Sequence, residues 1–249
     1  VADLEVDEVR KIPRGVVIAT HSRPTELRRC VEAIAPQVDL VVIVDNASDP
    51  PITADMLGGP SEHLAIGRDE EQPPNLSRLW NSGLEGVRLW LWDRPGVEQF
   101  EGRTITMDRW DVAVLNDDAV PPPGWFDAVA GAMRNLGCDA ASSDPFDMLP
   151  PGHTFVYRAS APMGVTTRLA GWAMMLRGEW GGAYFDERLR WWFGDDELSL
   201  RAREAGGLVH VGGFPVPNTL ADTSTTGVLA EQAGRDRATF VEITGRQPW

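Results

Sequence analysis

Residues 112–120 read VAVLNDDAV, and three prolines follow at once. An apolar run therefore ends in Asn116, Asp117 and Asp118, two of them adjacent carboxylates that repel each other. The nearest basic residue upstream is Arg109. Hard carboxylate oxygens at the tip of a buried strand suit Mg2+ or Mn2+, which keep open positions for phosphate oxygens. Neighbouring strand residues point to opposite sides, so one carboxylate can face a metal while the other meets a hydroxyl or the backbone. The competing reading is an Asx-type turn that stabilises the step into the prolines. On the pair alone, both readings stand.

The elements around the pair place it among similar clusters. GVVIAT (15–20) is short, apolar and β-branched, as a strand buried on both faces requires. RPTELRRCVEAIAP follows, with Pro24 and Thr25 at a helix start, Leu27, Val31 and Ile34 at helical spacing, and Pro36 closing the run. DLVVIVDNASDPP then carries a second buried strand into Asp45 and Asn46. Strand, helix and strand in this spacing make a βαβ unit with parallel strands. Ligands bind beyond the carboxyl ends of such strands, where His21, Ser22, Arg23, Asp45 and Asn46 fall.

Further along, 62–67 reads as a strand, 75–91 as a helix, and 93–110 as an irregular excursion. WDVAVLNDD is the next strand, 124–137 a helix closed by Gly137, and CDAASSDP one more strand. HTFVYRA and RLAGWAMMLRGEW read as extended, 195–207 as a helix, and LVHVGGFPV as a returning strand. Residues 222–227 form a candidate mobile loop before a weakly helical end. The fold class is α/β, with a parallel first half and a mixed second half.

Composition narrows the function classes. The chain has 249 residues, with 37 acidic against 23 basic and a net charge of −14. That balance argues against extended nucleic-acid binding and against anionic membrane surfaces. An anionic substrate would find few spare cations, and a bound divalent metal would supply the missing charge. Cys30 and Cys138 lie far apart and fit two buried thiols of a reducing compartment. The stretch VADLEVDEVRKIP lacks a signal-peptide apolar core, and no apolar run approaches membrane-spanning length. A cytoplasmic protein without an integral membrane segment is expected.

Five strings in order carry a resemblance: VVIATHSRPTELRRCVEAI, LVVIVDNASDP, VLNDDAVPPPGWFDAV, GWAMMLRGE and FDERLRWWFGDDELSLRAREAGG. Together they resemble the family 2 glycosyltransferases of the GT-A fold, over about residues 15–218. The resemblance implies a Rossmann-like α/β/α sandwich in a single domain, 1–249. Its nucleotide-sugar half would span 15–120 and its acceptor half 121–220, with a mobile loop and C-terminal helix over 221–249. It implies an inverting transfer from a nucleotide-diphosphate sugar, assisted by Mn2+ or Mg2+, to an acceptor hydroxyl. A glycan, a lipid-linked sugar, a protein side chain or a modified base would each supply one.

Carried over residue by residue, Asp45 matches the family's acidic contact to base or ribose, and Thr20 and Arg23 match the first loop beside the nucleotide. Asn116, Asp117 and Asp118 match its D-x-D-type motif, with Asn in the first place. Asp118 would hold the metal, and Asp117 would meet the ribose or shape the turn. Asn75, Arg78 and Asn81 loosely match the region bordering the diphosphate; a solvated helix face is the competing reading of Arg78. Asp195 matches the general base, aligned by Leu198 and Arg201. Gly194 replaces the usual Glu, and Asp196 adds a second carboxylate, which leaves open which of the two is the base, with Asp195 favoured by its alignment. For a further metal ligand, His210 falls too early and reads as a packed strand histidine, with Asn218 or Asp222 as substitutes. Trp172, Trp191 and Trp192 could stack on a sugar or pack in the core. Two rivals remain: a non-catalytic carbohydrate- or partner-binding relative, and a nucleotidyltransferase. The latter's Gly-rich, Lys-containing phosphate loop is replaced here by THSRP.

Overall fold

The computed structural model describes residues 12–58, 63–92, 99–100, 103–104, 109–162, 164–218 and 228–248. It opens with β1 (Arg14–Thr20), α1 (Pro24–Ile34) and β2 (Leu40–Asn46), the expected strand–helix–strand unit. Pro24 sits in the first turn of α1, where a missing N–H costs nothing. Leu27, Cys30, Val31 and Ile34 bury one face of that helix. A short helix α2 (Ala54–Leu57), strand β3 (Leu64–Asp69) and helix α3 (Leu76–Trp92) follow. Gly83 does not break α3, because it lets the helix approach the sheet: a Cβ there would collide with Val17.

The excursion holds a short hairpin, β4 (Gln99–Phe100) with β5 (Arg103–Thr104). Next come β6 (Asp111–Asn116), α4 (Trp125–Asn135), β7 (Ala140–Ser143) and β8 (Thr154–Tyr157). The chain closes with β9 (Ala173–Arg177), α5 (Gly194–Glu204), β10 (Leu208–Val211) and α6 (Val228–Thr244). Of the stretch read as extended over 168–180, only β9 is a strand. Residues 169–172 turn instead, their backbone bound by side chains: Leu169 N donates to Ser199 Oγ at 3.0 Å and Ala170 N to Ser142 Oγ at 3.3 Å. The candidate loop 222–227, with Asp222, lies outside the described residues.

One eight-stranded sheet runs in the order β3-β2-β1-β6-β9-β7-β10-β8. Its first four strands are parallel. β9 is antiparallel to both neighbours, β7 and β10 are parallel, and β8 closes the edge antiparallel. Alternating strand residues face opposite sides. Val16, Ile18, Val41, Ile43, Ala113 and Leu115 pack on the side of α1 and α4. Val17, Val42, Val44, Val112 and Val114 pack under α3 and α5. The result is an α/β/α sandwich with a Rossmann-like parallel half. A third small cluster joins Phe240 of α6 to Leu189 and Leu200.

This topology brings the carboxyl ends of β1, β2, β3 and β6 to one edge, and β9 starts there because it runs the other way. Cys30 and Cys138 are buried free thiols, as expected. No described helix is long and apolar enough to cross a membrane.

Candidate active site

Parallel register pairs Thr20 with Asp45 and Ala19 with Asn116, so the loops after β1, β2 and β6 crowd together. Thr20 Oγ1 donates to Asp117 Oδ2 at 2.8 Å. Arg23 places Nη1 2.8 Å from Asp117 Oδ1 and Nη2 3.1 Å from Asp118 Oδ2. Both carboxylates therefore converge on one guanidinium rather than pointing to opposite sides. Strand alternation does not apply, because β6 ends at Asn116 and a turn closed by Ala119 N donating to Asn116 O at 3.1 Å follows. Burial pushes the Asp117 carboxyl up to about 6, against the opposing pull of Arg23 and Thr20. Cys30 Sγ lies 3.5 Å from Asn116 O, and burial, then Asp117 and Asp118, push its thiol up.

The donor chemistry at Asp118 fits a divalent cation. It is a single buried, hard carboxylate at a strand end, the kind of protein ligand Mg2+ takes when phosphates and water complete its shell. No group of three His, Cys, Asp or Glu side chains forms a closed cage among the described residues. A cation here would share Asp118 with phosphate oxygens, and Arg23 would have to leave its Oδ2. Asn218 lies close to this turn, since it bridges Ala119 in antiparallel fashion. His210 packs within its strand, Nε2 lying 2.7 Å from Arg168 O, and burial lowers its pKa.

Asp45 is 1% exposed and both its oxygens are engaged. Oδ1 accepts from Ser48 N at 3.0 Å, and Oδ2 from Ile52 N at 3.2 Å and Arg68 Nη1 at 2.9 Å. It shapes the loop after β2, and Arg68 is the more exposed member of the pair. Arg68 escaped the motif reading; its signal is its register opposite Asp45 in the β2–β3 pairing. Asn75 caps α3, its Oδ1 accepting from Arg78 N at 3.1 Å while Nδ2 donates to Glu187 O at 3.0 Å. Arg78 is bound to Asp69 and Glu71, so it is an ion-paired residue rather than a merely solvated one. Asn81 clasps Phe185, donating to its carbonyl at 2.9 Å and accepting from its N–H at 2.8 Å. These asparagines tie α3 to the 185–187 segment.

The second carboxylate cluster lies close to the first. Asn116 N donates to Trp172 O at 3.0 Å. One residue earlier, Gly171 packs so tightly on Asp195 that a Cβ would overlap its Oδ2. Asp195 and Asp196 open α5, where the helix N-terminus favours negative charge. Asp196 is 1% exposed, and its Oδ1 lies 2.7 Å from Arg168 Nη1. Asp195 is less buried on the surface. Burial still raises its pKa, and the nearby Arg168 pulls the other way. The two carboxylates are thus distinguished: one is locked in an ion pair, the other faces Gly171. Trp172 lies half-buried, its Nε1 donating to Val216 O at 3.0 Å, so its indole N–H is already used.

No family model matches the chain, and no curated protein matches it in sequence. Solved structures do. S. aureus TarS, residues 1–349, superposes with a TM-score of 0.56 at 12% identity, over 82% of this chain and 59% of that one. The same fragment in complex with UDP-GlcNAc gives 0.55 at 12% identity, over 92% and 67%. A longer TarS chain gives 0.53 at 11%, over 92% and 40%. The fold is of the GT-A glycosyltransferase type. In the first comparison the chain spans 59% of the TarS fragment, so the likeness speaks for the shared domain alone.

On this fold the expected site residues divide into three groups. Thr20, Arg23, Asn116, Asp117, Asp118 and Trp172 are joined by hydrogen bonds, ion pairs or chain neighbourhood, and Gly171, next to Trp172, packs on Asp195, with Asp196 beside it paired to Arg168. Asp45 stands on the neighbouring strand end with Arg68. Asn75 and Arg78 lie on α3, bonded to the 187 carbonyl and to Asp69. Arg168 lies outside the five strings, and Gly171 opens GWAMMLRGE without a role, because each contacts a carboxylate far away in sequence.

Proposed function

We propose that the chain is an inverting, family 2-like glycosyltransferase that moves a sugar from a nucleoside diphosphate donor to an acceptor hydroxyl. The observation that carries this reading is the short route from the Asp117–Asp118 turn through Trp172 and Gly171 to Asp195. It gives a donor-side carboxylate cluster and a separate carboxylate for proton removal. The TarS complex with UDP-GlcNAc makes UDP-sugars the first donors to test.

Asp118 would hold the divalent cation, which supplies positive charge to the departing diphosphate. Thr20 and Arg23 fix the orientation of Asp117 and border the nucleotide, and Asp45 with Arg68 shapes the nucleoside end. Arg78 would exchange its carboxylate partners for phosphate oxygens. The acceptor oxygen forms its bond to the anomeric carbon as the carbon–diphosphate bond breaks, and its proton passes to an Asp195 carboxylate oxygen. A raised pKa suits that task, since a stronger base gains more from the transfer. Asp196, paired with Arg168, stands next to the base in the first turn of α5.

A donor-hydrolysis screen with Mn2+ tests the reading without knowledge of the acceptor. Slow release of nucleoside diphosphate from at least one sugar nucleotide is expected. Failure of every donor both to be cleaved and to bind would overturn it.

A further inference from the structure

The buried carboxylate of Asp236 serves no step described above, although it is fully enclosed. It lies in α6, and it gathers the segment that leads into Asp195. Asp236 Oδ2 accepts from the N–H of Trp191 and of Trp192, both at 2.8 Å. Oδ1 accepts from Arg190 N at 3.2 Å and from Gln232 Nε2 at 2.6 Å. Four donors thus meet two oxygens. A carboxylate is the one side chain of this size that presents acceptors only, whereas an asparagine would aim two hydrogens at these N–H groups.

The segment so held is strained. Phe193 follows directly, with φ 65, a left-handed conformation that a bulky residue rarely adopts. Such conformations persist where the surroundings over-determine them, and they cluster at functional sites. Here the Phe193 carbonyl also accepts from Glu197 N at 2.9 Å, which starts α5, and its ring packs tilted against Phe240 of α6, centroids 5.8 Å apart. The opposite side of the same segment is tied to the donor edge. Leu76 N donates to Arg190 O at 2.6 Å, and Arg190 Nη2 reaches Glu71 Oε1 at 2.7 Å. Among the described residues, the buried Trp192 Nε1 has no hydrogen-bond partner.

We propose that Asp236 is a positioning residue for the transfer step. From the C-terminal helix it sets the 190–193 backbone, and with it the first turn of α5, so that Asp195 meets the acceptor in a fixed geometry. The proposal rests on the glycosyl-transfer reading for its reaction, but not for its structural half.

Asp236→Asn and Asp236→Ala test it, with Glu231→Gln, exposed on the same helix, as the control. In Asp236→Asn, amide exchange at 190–192 should quicken by about tenfold or more while β1 and β6 keep their protection. With a donor that the wild type turns over, kcat should fall by about ten- to a hundredfold at unchanged donor KM, since misplacement of a reacting group carries a penalty of that order. A purely structural role would lower the melting temperature and leave kcat of the folded protein alone; that result, or unchanged exchange at 190–192, overturns the proposal. If Asp236→Ala does not fold, Asp236→Asn decides, and if neither folds, Gln232→Ala does, with a smaller change in the same direction. If the wild type turns over no donor, the glycosyl-transfer reading fails separately and the exchange data still decide whether Asp236 holds the segment.

Discussion

The two neighbouring carboxylate clusters are built by different means. On the parallel half, Thr20, Asp45 and Asn116 are brought side by side by strand register alone, because three neighbouring strands end together. On the mixed half, Asp195 stands on a helix whose first turn is held by contacts with the 168–171 turn and, through the 190–193 segment, with α6. The frame of the first cluster is a by-product of sheet geometry, and the turn after β6 then swings Asp117 and Asp118 onto Arg23. The second depends on individual tertiary contacts, and each can be removed without disturbing the sheet. Changes at the strand ends that keep the register are expected to be tolerated better than changes around Asp195.

Three substitutions on the mixed half sharpen this contrast. Asp195→Asn should lower transfer by about 10²–10⁴-fold, the usual worth of a general base, while donor-induced stabilisation persists. Asp196→Asn should cost less, and the reverse order would transfer the base role to Asp196. Arg168→Gln should reduce kcat by about tenfold with donor KM unchanged. It should also move the acidic limb of the rate profile to higher pH. The sign follows from the groups that face Asp195: burial raises its pKa and the Arg168 cation opposes that rise, with Asp196 alongside. Removing the cation leaves the carboxyl protonated over a wider range. Burial likewise pushes the Asp117 carboxyl up to about 6, so activity should climb as pH rises through that region.

Gly171→Ala should cost about 1–3 kcal/mol of stability or displace Asp195, since its Cβ would overlap the carboxylate. A drop in kcat larger than the change in melting temperature implies marks displacement. The smallest effect is expected on the donor side. Asn75→Ala should remove about 1 kcal/mol through loss of the α3 cap, measurable by denaturant unfolding, with only a mild change in donor affinity.

The same contrast explains what could be read from the residues alone. Continuous apolar runs ending in Asp45 and in Asn116–Asp118 disclose strands buried on both faces and the polar edge beyond them, so the parallel half is legible. The convergence of Asp117 and Asp118 on Arg23 was not, because a turn rather than a strand carries them. Arg168 pairs with Asp196 across 28 residues, and Asp236 reaches Trp191 across 45. No local periodicity announces such pairs, since α6 has polar and apolar residues mixed along its length and its partner is a loop. Gly171 sits in a stretch that reads as extended, and nothing in that stretch announces the carboxylate packed against it.

The central claim is that the acidic turn after β6 receives a sugar nucleotide. The most direct test is the melting temperature of the wild type and of Asp118→Ala, each with Mn2+ and a panel of nucleoside diphosphate sugars beginning with UDP-GlcNAc. Stabilisation of the wild type by at least one donor, abolished in Asp118→Ala, is the predicted result. A panel that stabilises neither protein, or both equally, would contradict the claim.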